Sequence, residues 1–203
     1  WDYLEQVFGK LAEEDSPLLD LKYLQSLLIN QLSIKLMPLF SENGDPKNCT
    51  LDRLSERSDF ILDIANVLND KYQSKITNLI KESNGLLNSR PTDSNDKKGL
   101  YSLLNDFNAF KDPQMKKSTV FIKLLVNSGL IKIKDPKNFV PDMDYHIQRV
   151  MLRMGCVKIL DKKLKQKLIN KEKIESDSEI RCACIEAVKI IAENSGYPSY
   201  KMN

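Results

Sequence analysis

Apolar residues return every three to four positions along almost the whole of this chain, and that spacing constrains its fold more than any other feature. Side chains at i, i+3, i+4 and i+7 share one face of an α-helix, so such a chain buries itself as packed helices. The opening "WDYLEQVFGKLAEED" sets Tyr3, Leu4, Val7, Phe8 and Leu11 on one stripe. The apolar stretch from Ser16 to Phe40 starts with a serine cap and a proline at the first helical position, which predicts a buried helix. Further helices are predicted at 50–57, 58–70 and 72–87, in "LYSLLNDFNAF", and in "STVFIKLLVNSG" up to Gly129. Others follow over 144–155 and in the basic "DKKLKQKLINKEK". The last opens with the box Ser176-x-x-Glu179 and closes at Gly196. "IKIK" at 131–134 allows a short extended piece, and "SENGDPKNCT" and "NSRPTDSNDKKG" read as loops. Seven glycines and eight prolines are too few for a turn-rich β protein, and no heptad run persists. The expectation is an all-α globule of nine or ten helices.

Composition excludes several classes of function. No apolar run approaches the roughly 18 residues of a membrane span. No basic-then-apolar leader is visible either, so the chain reads as intracellular, in cytoplasm or nucleus, with no membrane partner. Cys49, Cys156, Cys182 and Cys184 match no zinc or iron–sulfur spacing and read as reduced, mostly buried thiols, with no metal site. Charge is uneven: residues 1–65 hold 6 basic and 12 acidic residues, and the remainder 25 basic and 16 acidic. A basic C-terminal two-thirds suits an anionic partner such as nucleic acid, although a lysine-rich face is more often simply solvated. The stretch 158–173, with seven lysines against Asp161 and Glu172, is the strongest example of both readings.

The stretch that carries chemistry is "DYHIQRVMLRMG", residues 144–155. Ile147, Val150, Met151 and Met154 follow helical spacing and form the expected buried stripe. His146, the single histidine, lines up with Arg149 and Arg153 on another face. Asp144 falls at the N-cap, where a carboxylate accepts backbone N–H groups and is favoured by the helix dipole. The bland reading is a capping aspartate beside solvated cations. The sharper one is an oriented, ionised carboxylate beside a cationic ridge.

"MDYHIQRVMLRMG" resembles the V-D-x-H-V/I-x-R-V stretch of the helix-hairpin-helix DNA glycosylases of the endonuclease III superfamily. Asp144, His146, Ile147, Arg149 and Val150 match position by position, and Met143 replaces the usual Val. Upstream, "DPQMKKSTVFIKLL" stands where that family carries its hairpin, with Lys117-Ser118 against the family's Lys-Thr pair. "LLINQLSIK" resembles the family's early helix, with Gln31 as the DNA-side glutamine. The hairpin glycines are absent, and the gap from Lys117 to Asp144 is nearer that of the archaeal 8-oxoguanine glycosylase branch. The family's four-cysteine iron–sulfur loop does not occur in these residues, leaving such a loop beyond Asn203 an open alternative and no cofactor within the chain.

The resemblance implies two α-helical subdomains with a DNA cleft between them. Residues 1–24 plus 146–203 would form one subdomain and 25–145 the other, in a monomer acting on double-stranded DNA with a damaged base. A flipped base would be excised, with Asp144 stabilising positive charge on the sugar. Lys117, lowered in pKa by Lys116, would be the amine nucleophile of a glycosylase/lyase. Lys116, His146, Arg149, Arg153 and Gln31 would contact the nucleic acid. Trp1, Phe121 and Tyr145 are the aromatic candidates for a base pocket.

Two alternatives stand beside this. The chain also resembles a queuosine-salvage N-glycosidase, a family with a similar Asp-Tyr-Arg stretch in an all-helical fold. Its Asp would act likewise on a free modified nucleoside, with no nucleophilic lysine. The other is a non-catalytic nucleic-acid-binding module of the same fold.

Overall fold

The computed structural model describes residues 2–88 and 98–197, and every regular element among them is helical. One isolated antiparallel bridge, Ser41 to Cys49, is the exception. The all-α expectation holds. The chain divides into two compact units, Trp1–Lys81 with Asn105–Lys111, and Glu82–Leu104 with Asp112–Asn203.

The first unit contains α1 (Asp2–Glu13), α2 (Leu21–Gln25), α3 (Ile29–Leu36) and α4 (Leu54–Tyr72), and most of α5 (Ile76–Ser83). Its core is Leu24, Leu32, Leu36, Phe40, Leu62 and Ala65. Small residues let α3 and α4 pack closely: Ala65 is fully buried, and the buried Ser33 and Ser58 hydroxyls meet at 2.8 Å. The stretch from Ser16 to Phe40 is not one buried helix. It breaks into a 3₁₀ turn at Pro17–Leu19, then α2 and α3. Asp20 caps α2 by accepting from the Tyr23 N–H at 2.8 Å, which restarts the helix, and Leu28 and Ile34 are left exposed. The helices expected at 50–57 and 58–70 are a single one, α4. Residues 105–111 return to this unit. There the Asp63 carboxylate accepts from the Asn108 backbone and side chain at 2.7 and 2.8 Å, and Phe107 stacks on Tyr72.

The second unit holds α6 (Leu100–Leu104), α7 (Lys116–Asn127), α8 (Tyr145–Arg153), α9 (Lys162–Ile169) and α10 (Ser178–Ser195). Met143, Met151, Ile180, Cys184, Ile185 and Val188 form a core between α8 and α10. Gly196, at φ +68°, ends α10 as expected, but the helix starts after Asp177, and Ser176 instead accepts from the Ser178 N–H at 3.1 Å. Residues 131–134 form no strand. The Lys134 N–H donates to the Gly85 carbonyl at 2.9 Å. Of the four free thiols only Cys184 is buried, and Cys156 and Cys182 are exposed, so the expected burial fails for those two. Helical spacing places Cys182 on a face that α10 turns to solvent. Burial pushes the Cys184 thiol above its ordinary pKa.

Gly85 illustrates how tightly the second unit closes. It sits at φ +75°, and an added Cβ would lie 2.7 Å from the Lys132 carbonyl oxygen. Gly155 has the same φ with open space around it. Gly85→Ala is therefore expected to cost about 2 kcal/mol or more, and Gly155→Ala about 1 kcal/mol. Denaturant titration of both variants checks this, and equal losses would contradict the steric account.

Candidate active site

The site is built on the irregular segment 139–144 that leads into α8. Three side chains from three helices fix it. The Tyr101 hydroxyl of α6 accepts from the Val140 N–H at 3.1 Å and is itself 2.9 Å from the Thr119 hydroxyl of α7. Burial holds the Tyr101 hydroxyl above its ordinary pKa, so it remains a neutral donor and acceptor. Lys123 of α7 donates to Asp142 at 2.7 Å in a pair whose side chains are 19% and 16% exposed. Arg181 of α10 donates from one guanidinium nitrogen to the Met143 carbonyl at 3.2 Å. Pro141 and Met143 are fully buried between these anchors.

Asp144 follows directly. It is the N-cap of α8, half-buried, with Oδ1 accepting from the Ile147 N–H at 2.9 Å and its carbonyl accepting from the Gln148 N–H at 3.0 Å. Among the described residues no cation forms a salt bridge with this carboxylate. It is thus oriented by backbone dipole and offers its remaining lone pairs to whatever lies at the mouth of α8.

The faces of α8 differ from the expected ones. Met151 is buried and Ile147 partly so, but Val150 and Met154 are 48% and 71% exposed. The buried face includes Gln148 at 6% exposure instead. Its amide is satisfied by donating to Asp177 at 3.0 Å, which makes a polar residue tolerable there. Asp177 also accepts from Arg181 at 2.7 Å. The Gln148 hydrogen bond, followed by that of Arg181 and its charge, holds the Asp177 carboxyl below the usual carboxylate range. The Arg181 Nε–H is buried without a partner, and a group in that state typically costs about 1–3 kcal/mol. Sequence reasoning missed Asp177 and Arg181. The signal for them was Gln148, a polar side chain in a buried stripe that demands a partner.

The other residues singled out in the sequence divide clearly. His146, Arg149 and Arg153 are exposed on α8, with the His146 ring 3.9 Å from that of Tyr145 and the Arg149 guanidinium 5.2 Å from the Tyr145 ring centre. Tyr145 is 56% exposed. Lys116 and Lys117 begin α7, where the Asp112 carboxylate accepts from their backbone N–H groups at 2.8 and 3.3 Å. Lys117 is exposed and Lys116 half-buried. Gln31 is exposed in the first unit and closes the start of α3, accepting from the Leu28 N–H at 2.8 Å. Phe121 is half-buried on α7, and Trp1 lies outside the described residues. Among the described residues no group of His, Cys, Asp or Glu is placed to hold a metal ion. No helix among them is long and apolar enough to cross a membrane.

Chemically, an oriented carboxylate on a helix N-terminus can stabilise a developing cation or polarise a water. That capacity is common to nucleic-acid glycosylases and to nucleosidases, so geometry alone does not separate them. No curated protein matches the chain. The family model described as "Queuosine salvage protein" matches residues 2–199. This overturns the assignment to the helix-hairpin-helix DNA glycosylases, and with it base-excision repair of damaged DNA. The Asp-x-His-x-x-Arg-Val match spans few residues, whereas the family match runs through nearly the whole chain. The chain belongs to the queuosine salvage protein family.

Proposed function

We propose that this protein is an N-glycosidase that releases the base of a free modified nucleoside, queuosine, rather than a base held in DNA. The observation that carries the proposal is the family match across residues 2–199. The Asp144-Tyr145-His146 stretch supports it, since it parallels the Asp-Tyr-Arg stretch of that family with His146 in place of Arg.

In this reading Asp144 acts on the sugar. As the N-glycosidic bond lengthens, positive charge spreads over the ribose ring oxygen and C1′, and a nearby carboxylate lowers the energy of that state. Water completes the hydrolysis, giving ribose and the free base. The bond from the Ile147 N–H keeps the carboxylate oriented at the helix mouth. Tyr145, exposed beside Asp144 and flanked by His146 and Arg149, supplies a π face for the base, and the two basic groups offer donors to it or to the ribose hydroxyls.

Lys117 has no covalent role in this scheme. Lys117→Gln is expected to keep base release within about threefold of the parent, since hydrolysis needs no amine nucleophile. Incubation with free queuosine, followed by chromatography of the released base, tests both statements. Borohydride trapping of a Lys117-dependent adduct would contradict the scheme, and so would absence of any released base.

A further inference from the structure

We propose that Arg181 is a positioning residue for Asp144, acting through the Met143 carbonyl and locked by Asp177. The proposal rests on the reading of Asp144 as the carboxylate that faces the sugar. The hydrogen bonds form a closed ring. Arg181 donates to the Met143 carbonyl at 3.2 Å and to Asp177 Oδ2 at 2.7 Å. The same Oδ2 accepts from the Gln148 amide at 3.0 Å, and the Gln148 N–H donates to the Asp144 carbonyl at 3.0 Å. One carboxylate at the start of α10 thus ties down the peptide before Asp144 and the first turn of α8 after it. What remains, the Asp144 side-chain torsion, is fixed by the Ile147 N–H.

A guanidinium suits this task because its rigid fork reaches two acceptors at once, whereas an ammonium is a single flexible point charge. The guanidinium holds both acceptors even though its own Nε–H is buried without a partner. Arg181 itself sits in the second unit's wall with its side chain only 20% exposed, so it acts through Asp144 and not on substrate. Displacing a reacting group by about 1 Å costs on the order of 100-fold in rate.

The test compares the full chain with Arg181→Met and Arg181→Lys, reading kcat and KM on queuosine. In parallel, amide hydrogen exchange at Ile147 is measured against the amides of α9 as an internal reference. Expected for Arg181→Met is a fall in kcat of about 10- to 100-fold with KM within about twofold, and faster exchange at Ile147 while α9 is unchanged. Arg181→Lys should restore little of either. Unchanged exchange at Ile147, or a kcat that falls only in step with the folded fraction, would overturn the proposal. Should Arg181→Met not fold, Asp177→Asn takes its place with the same two readouts, because it loosens the guanidinium. A parent chain that releases no base defeats the proposed function instead, and the exchange at Ile147 then decides the positioning alone.

Discussion

Asp144→Asn is expected to lower base release from queuosine by at least about 1,000-fold while leaving the protein folded. The argument has two halves. Asparagine is as good an N-cap as aspartate, so the bond from the Ile147 N–H persists and stability changes by only about 0.5 kcal/mol. Its amide carries no net charge, so it no longer offsets the cation that grows on the ribose. Losing one oriented electrostatic partner in a catalytic site costs roughly 100- to 1,000-fold, and the carboxylate facing an oxocarbenium-like sugar lies at or beyond the upper end of that range. A 1,000-fold loss corresponds to about 4 kcal/mol of transition-state stabilisation. Circular dichroism and a melting curve establish the fold, and a discontinuous base-release assay gives the rate. A variant with near-parental rate would remove Asp144 from the chemistry.

Lys123→Met is the second large effect, and it acts on stability. Lys123 and Asp142 are joined at 2.7 Å with four-fifths or more of each side chain out of water. Removing the cation strands a carboxylate that has little solvent to turn to, and breaking such a buried pair from one side typically costs about 3–5 kcal/mol. Residual exposure reduces that to about 2–3 kcal/mol here. Replacing both partners, as in Lys123→Met with Asp142→Leu, should recover most of the loss, because no charge is left unpaired. Denaturant titration of the single and double variants gives the coupling directly. Additive losses would contradict the account. Since Asp142 lies two residues before Asp144, the single variant should also slow base release beyond its unfolded fraction.

Helical periodicity made most of this fold legible. Apolar spacing gave α1, α7 and the body of α10, the lysine-rich run gave α9, and turn glycines marked the ends of α7 and α10, where Gly129 and Gly196 lie at φ +70° and +68°. It failed where local capping competes with a continuous apolar pattern. Asp20 restarts a helix inside the 16–40 run, and no count of leucines reports that. It failed again on α8, where Val150 and Met154 kept the spacing of a buried stripe yet face outward. A nine-residue helix offers too few turns to fix its phase, and the Gln148–Asp177 bond, made across 29 residues, settles it. Asp144 was legible as a cap from its position alone. Its brace was not, because Tyr101, Lys123 and Arg181 come from three different helices. The substrate class was least legible of all. An acid before a basic amphipathic helix is a short pattern that names no substrate, and the match over residues 2–199 is what places the chain in its family.

The most direct measurement is a side-by-side base-release assay of the parent chain on free queuosine and on duplex oligonucleotides carrying 8-oxoguanine or oxidised pyrimidines. The account predicts that base is released from queuosine, that Asp144→Asn loses this activity, and that the duplexes remain intact. Release from the duplexes with queuosine left untouched would contradict it.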